Sequence, residues 1–188
     1  MSIYGYHLET GCRAYGKKDF EPAGDESYRS QYLEACSCLE QHGWLHYEIS
    51  NWALTPADIC RHNMGYWRRR AYLGFGPSAH SFRPPDLRAW NRKDIRVYLD
   101  AAEKNFSLIR QSERLSRTEI QAEKLMLGLR LARGVRKELV SFFLKSHTDE
   151  TLHLLSQKRL LRFPRPGCLA LGNQGFLLYD SIVERLTA

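Results

Sequence analysis

The chain has 188 residues, 43% hydrophobic and 26% charged, with a formal net charge of +7. No uncharged apolar run approaches the roughly 18 residues of a transmembrane helix, and the opening Met1-Ser2-Ile3-Tyr4-Gly5-Tyr6-His7 lacks the regions of a signal peptide, so a cytoplasmic setting is expected. Cys12, Cys36, Cys38, Cys60 and Cys168 are odd in number and irregular in spacing, matching neither a disulfide framework nor a zinc site.

Ser2 to Leu8, rich in β-branched and aromatic residues, is predicted to be a strand. Asp25 is placed to cap a helix from Glu26 to His42, with Tyr28, Tyr32, Cys36 and Leu39 as its apolar face and Gly43 as its stop. Leu45 to Ser50 reads as a second strand. Strand, helix and strand at this length imply one βαβ unit with parallel strands. One unit is too little for a stable open sheet, so further strands are expected ahead of Met1 or from a partner chain. Leu87 to Trp90 suits a short strand. Lys93 to Lys104 suits a helix with Ile95, Tyr98, Leu99 and Ala102 inward. Asn105-Phe106-Ser107 marks a break and a domain boundary. Ser116-Arg117-Thr118-Glu119 is a capping box opening a helix to Arg133, which Gly134 ends. Helices are predicted at Lys137 to Leu144 and Asp149 to Gln157. A hairpin is predicted from Leu160 to Phe163 and Cys168 to Leu171 around Arg165-Pro166-Gly167, and a last helix from Asn173 to Leu186. Helices, hairpin and closing helix in this order resemble a winged helix.

The chemistry concentrates in His62-Asn63-Met64-Gly65-Tyr66-Trp67, followed by Arg68, Arg69 and Arg70. Imidazole can bind iron, aromatic rings can cover a porphyrin face, and guanidinium forks can pair with propionates. The plainer reading makes Tyr66 and Trp67 core aromatics, Asn63 a helix cap and the arginines a solvated face. From Arg61 to Lys93 there are eight Lys or Arg and one acid, Asp86. This balance favours anionic partners without choosing among nucleic acid, phosphates and propionates. Gly74-Phe75-Gly76-Pro77-Ser78 lacks the Lys and Gly spacing of a P-loop and looks like a tight backbone passage. Glu48, at a strand's carboxyl end, is either a pocket residue or a satisfied structural carboxylate.

Tyr47-Glu48-Ile49-Ser50-Asn51-Trp52, then the His62 segment, then Tyr72-Leu73-Gly74-Phe75-Gly76-Pro77-Ser78-Ala79-His80-Ser81-Phe82, resembles in its order the radical-SAM haem chaperones (the HemW family). These are relatives of oxygen-independent coproporphyrinogen III oxidase. The family's His-Asn-x-x-Tyr-Trp element is matched at every fixed position. Ile3-Tyr4 and His7-Leu8-Glu9-Thr10-Gly11 resemble a late barrel strand, and Leu125-Met126-Leu127-Gly128-Leu129-Arg130 resembles the start of the family's C-terminal domain.

The resemblance implies an α/β fold. Residues 1–105 would be the C-terminal part of a radical-SAM (β/α) barrel, and residues 106–188 a mostly helical, winged-helix-like domain. It implies haem binding by His62, Asn63, Tyr66 and Trp67, with His62 on the iron and Arg68, Arg69 and Arg70 on the propionates. Glu48, Gly74, Gly76 and His80 would be pocket wall near S-adenosylmethionine, and no catalytic residue is implied. The partners implied are haem, a haem-acceptor protein and an N-terminal barrel half. One departure matters. The family's Cys-x-x-x-Cys-x-x-Cys motif and its Gly-rich adenosylmethionine motif are absent, so the 4Fe-4S cluster and S-adenosylmethionine belong to the full-length family, and this chain alone is expected to perform no radical chemistry. Two other readings remain: part of a coproporphyrinogen III oxidase-like enzyme, or a winged-helix nucleic-acid-binding module. The acidic opening Asp149-Glu150 of the helix before the hairpin argues against the latter.

Overall fold

The structure is a computed structural model that describes residues 1–6, 23–104 and 110–187. The chain forms two compact units, residues 1–59 with 129–186, and residues 60–128.

The first unit opens with α1 (Asp25–Gln41), which buries Tyr32, Cys36 and Leu39, the stripe that its spacing set. Gly24 rather than Asp25 is the N-cap. Asp25 instead lies in the first turn, where a carboxylate still faces the positive end of the helix. Gly43 leaves the helix at φ 80°. β1 (Leu45–Glu48) reverses at Ile49-Ser50 into β2 (Asn51–Ala53), and the two pair antiparallel. The Trp52 N–H donates to the Met1 carbonyl and the Ile3 N–H to the Ser50 carbonyl, both at 2.9 Å, which sets residues 1–3 antiparallel on the other side of β2.

This corrects the expected parallel pairing. The first segment and β1 do run in the same direction, as strand–helix–strand required, but β2 lies between them. The two-residue reversal at Ile49-Ser50 lets a hairpin form at once, whereas the sequence pattern had extended a single strand to Ser50. His7, Leu8, the Glu9 to Gly11 stretch and Cys12 lie outside the described residues.

The second unit contains α2 (Arg61–Trp67), β3 (His80–Arg83), β4 (Leu87–Asn91), α3 (Ile95–Lys104), β5 (Arg110–Arg114) and all but the last residue of α4 (Arg117–Leu129). β3, β4 and β5 form an antiparallel sheet in that order. The strand expected at Leu87 to Trp90 is β4. The inward face of α3 needs correction. Ala101 is buried and Tyr98 half-buried, but Ile95 and Leu99 are 61% and 55% exposed. The Tyr98 hydroxyl accepts the Gly76 N–H at 3.1 Å, which fixes the face that turns inward. The capping box of α4 is present: the Ser116 N–H donates to Glu119 Oε2 at 2.7 Å and the Glu119 N–H to Ser116 Oγ at 3.3 Å. The Ser116 contacts hold the exposed Glu119 carboxyl below its ordinary range. The break expected at Asn105 to Ser107 lies outside the described residues.

Beyond α4 the chain rejoins the first unit. The Ile49 N–H donates to the Arg130 carbonyl and the Ala132 N–H to the Tyr47 carbonyl, so residues 130–132 lie antiparallel along β1. Then come β6 (Val135–Arg136), α5 (Lys137–Leu144), α6 (Thr148–Gln157), β7 (Leu161–Arg165), β8 (Cys168–Leu171), α7 (Asn173–Leu177) and α8 (Tyr179–Thr187). The expected hairpin is β7 and β8, turning at Pro166-Gly167 with Gly167 at φ 69°. β6 adds a third strand on β8. The single closing helix expected from Asn173 is divided at Leu178 into α7 and α8. Leu129, Leu131, Leu169, Leu171, Phe176 and Leu186 are among the buried residues of this unit. No helix among the described residues is long and apolar enough to cross a membrane.

Candidate functional site

α2 starts at Cys60, whose carbonyl accepts the Met64 N–H at 3.0 Å, and Met64 is the buried residue that anchors the helix. The helix holds His62 exposed and Asn63, Tyr66 and Trp67 half-buried. Asn63 sits inside the helix and does not cap it. His62 and Tyr66 are four apart and therefore neighbours on one face; their rings meet edge to face at 4.9 Å. Tyr66 meets Tyr72 edge to face at 4.7 Å, and Tyr72 lies 6.3 Å from the Phe82 ring. The backbones of Tyr72 and Phe82 exchange two hydrogen bonds of 3.0 Å. Burial, then the neighbouring Tyr66 and Glu123, push the Tyr72 phenol up, so it stays protonated at neutral pH. An exposed imidazole thus stands at the open end of an aromatic ladder.

The helix ends in a left-handed turn at Arg69, φ 52°, where the Arg69 N–H reaches the Tyr66 carbonyl and the Arg70 N–H the Gly65 carbonyl, each at 2.9 Å. Arg69 is not a solvated arginine. Its Nε donates to Glu123 Oε2 at 2.6 Å, its Nη2 donates to the Pro85 carbonyl at 3.0 Å, and its guanidinium lies 4.8 Å over the Phe82 ring. Arg88 donates to the other Glu123 oxygen at 2.6 Å and to Glu113 at 3.2 Å. Arg68 and Arg70 are exposed. Of the three consecutive arginines, the fold therefore engages the middle one and turns its neighbours to solvent.

Gly74, Gly76 and His80 belong to one passage in the same unit. The Gly74 N–H donates to Ser81 Oγ at 3.0 Å, and a Cβ on Gly74 would run into the His80 carbonyl, so only glycine fits. Gly76, at φ 101°, gives its N–H to Tyr98 and takes the Asn91 amide on its carbonyl at 2.9 Å. His80 is exposed and stacks on Trp90 at 6.0 Å. Glu48 is in the other unit and has no exposed surface. Its carboxylate accepts from the Ser50 N–H at 3.0 Å, from the Asn51 amide and from Arg130 at 3.3 Å. These three donors satisfy the carboxylate within its own unit.

Sequence reasoning missed Tyr72, Phe82, Arg88 and Glu123. Glu123 sits in a helix of mixed pattern, 54 residues from Arg69, and no local signal pairs the two.

Among the described residues, no group of three or more His, Cys, Asp or Glu could hold a metal ion. Cys36 and Cys168 are buried, and burial pushes the Cys36 thiol up to about 11, the opposite of what a cluster-ligating thiolate needs. With the cysteine spacing of the sequence, these residues do not fit a four-iron cluster. A separate groove of about 720 Å³ lies in the first unit, lined in part by Leu152, His153, Phe163, Arg165 and Cys168; none of the expected site residues line it.

No family model matches the chain. It is 30% identical over 145 residues to radical S-adenosyl methionine domain-containing protein 1, mitochondrial, of Danio rerio, which covers 72% of this chain and 32% of that protein. It is 35% identical over 143 residues to the heme chaperone HemW of Bacillus subtilis, covering 73% and 36%. Against the heme chaperone HemW of Lactococcus lactis, identity is 30% over 171 residues, covering 87% and 43%. The chain thus spans about a third of the length of the first of the curated relatives it matches. Among solved structures it is similar to coproporphyrinogen III oxidase (HemN) of Escherichia coli, a radical SAM enzyme, with a TM-score of 0.63 at 18% identity, covering 91% of this chain and 43% of that one. That likeness bears out an α/β fold similar to that enzyme's.

Proposed function

We propose, from the homology of this chain to the HemW heme chaperones and the radical-SAM domain proteins, that it binds haem through α2 and hands it to an acceptor protein in the cytoplasm. The observation that carries the reading is the exposed His62 imidazole, set edge-on to Tyr66, with exposed Arg68 and Arg70 at the other end of the same short helix. Haem is the cargo. A ring nitrogen of His62 would supply a lone pair to its iron, Tyr66 and Trp67 would supply apolar surface to its face, and Asn63 a polar rim. Arg68 and Arg70 would pair with its two propionates by charge-assisted hydrogen bonds. Arg69 contributes through the Glu123 contact and not as a propionate ligand. Gly74, Gly76 and His80 would form the neighbouring wall.

In the same reading, residues 1–105 and 106–188 correspond to the last part of a barrel and to a winged-helix-like domain, and an N-terminal barrel half is a partner. The cluster and adenosylmethionine of the full-length family have no ligand set here, and no step runs through them.

A hemin titration followed by absorption tests the proposal. His62→Ala is expected to weaken binding by about tenfold, or about 1.4 kcal/mol, and to shift the Soret band. His153→Ala, in the other unit, is expected to match the parent. Equal titrations and spectra for all three proteins would remove the proposal.

A further inference from the structure

We infer that Glu123 is a positioning residue for the His62 site: by gripping Arg69 and Arg88 at once, it fixes the end of α2 and, through the aromatic ladder, the presentation of His62. The inference rests on the haem-binding reading of α2. Glu123 gives one oxygen to Arg69 and the other to Arg88, each at 2.6 Å, and its side chain is only 15% exposed. Short charge-assisted bonds at such a site are stronger and more directional than surface ion pairs. The chain of contacts is continuous. Glu123 holds the Arg69 guanidinium, which lies over Phe82. Phe82 exchanges backbone hydrogen bonds with Tyr72, Tyr72 packs on Tyr66, and Tyr66 packs on His62.

Two features make Arg69 the weak point of this chain. It takes a left-handed conformation that glycine would ordinarily occupy, and its N–H and that of Arg70 close the last turn of α2. With seven residues, the helix has little intrinsic stability and depends on such tertiary ties. Glu123 is also the carboxylate held between two guanidiniums of a strongly basic stretch. Without its charge, Arg69 would lose its carboxylate partner and Arg88 would keep only Glu113.

The test is a double-mutant cycle on the full chain with hemin as probe. Glu123→Gln is expected to weaken hemin binding about tenfold and broaden the Soret band, and to cost clearly less than tenfold in the His62→Ala background. Unchanged affinity and spectrum, or the same tenfold loss when His62 is already absent, would overturn the inference. Hydrogen exchange without hemin separates this idea from the haem reading. The Arg69 and Arg70 amides should exchange at least tenfold faster in Glu123→Gln, while the capping-box amide of Glu119 keeps its rate. Unchanged Arg69 and Arg70 amides would sink the positioning role even if hemin binds. Faster exchange in a chain that takes up no hemin would sustain the positioning and remove only the haem reading. Should Glu123→Gln fail to fold, Arg69→Lys decides. It keeps the cation but loses the fork that bridges Glu123 and Pro85, and the same pattern at smaller amplitude is expected. Parent-like binding and exchange in Arg69→Lys would overturn the inference.

Discussion

Replacing Glu48 by alanine removes the acceptor for three donors at once: the Ser50 N–H, the Asn51 amide and the Arg130 guanidinium. Glu48 has no exposed surface, whereas the Arg130 side chain is 25% exposed. Breaking a buried ion pair from one side costs about 3–5 kcal/mol, and the partial exposure of Arg130 argues for about 3 kcal/mol. For a chain of this size, that lowers Tm by roughly 6–12 °C. Glu48→Gln keeps the shape and some of the hydrogen bonds, so a loss of about 1.5 kcal/mol is expected. Urea unfolding followed by tryptophan fluorescence reads both variants, because Trp52 is 1% exposed and adjacent to Asn51 in β2. A loss below about 1 kcal/mol for Glu48→Ala would refute the structural role. Undiminished stability together with reduced ligand binding would instead mark Glu48 as a pocket wall.

Gly134 lies at φ 65°, and a Cβ there would meet the Leu169 carbonyl of β8. Gly134→Ala should therefore cost more than about 4 kcal/mol, whereas Gly43→Ala, at φ 80° in open space, should cost only about 1–2 kcal/mol. Equal thermal shifts for the two variants would contradict this. His46 is stacked on Trp52 at 4.2 Å, and its Nε2 donates to the Ile49 carbonyl at 3.2 Å. Burial, the largest cause, holds its pKa below the ordinary histidine range, although Glu40 lies 4.0 Å away. The folded state then resists protonation while the unfolded chain takes a proton near pH 6.5. Stability is fully present above about pH 6.5 and falls on acidification toward the depressed folded value. His46→Phe should flatten that part of the urea-midpoint profile between pH 7 and pH 5, and an identical slope in parent and variant would refute the assignment.

Local pattern carried a good deal. The α1 stripe of Tyr32, Cys36 and Leu39, the Ser116 capping box, α5, and the β7–β8 hairpin around Pro166-Gly167 all follow from spacing and turn chemistry that act within a few residues. The His-Asn-x-x-Tyr-Trp stretch was legible as the chemical focus, because its residue types sit within two helical turns. What failed was whatever depends on distant partners. Strand pairing is decided by which edge finds which neighbour, so β2 between the first segment and β1 could not be read from apolar runs. β5, Arg-Gln-Ser-Glu-Arg, carries no alternation and is a strand because β4 offers it a paired edge. The outward turn of Ile95 and Leu99 follows from the bond between Tyr98 and Gly76, which no helical periodicity encodes. In the triple arginine, sequence supplied three equal cations. Only the tertiary structure distinguished Arg69 from the other two, because Glu123 comes 54 residues later in the chain and the low exposure of that ion pair makes it selective.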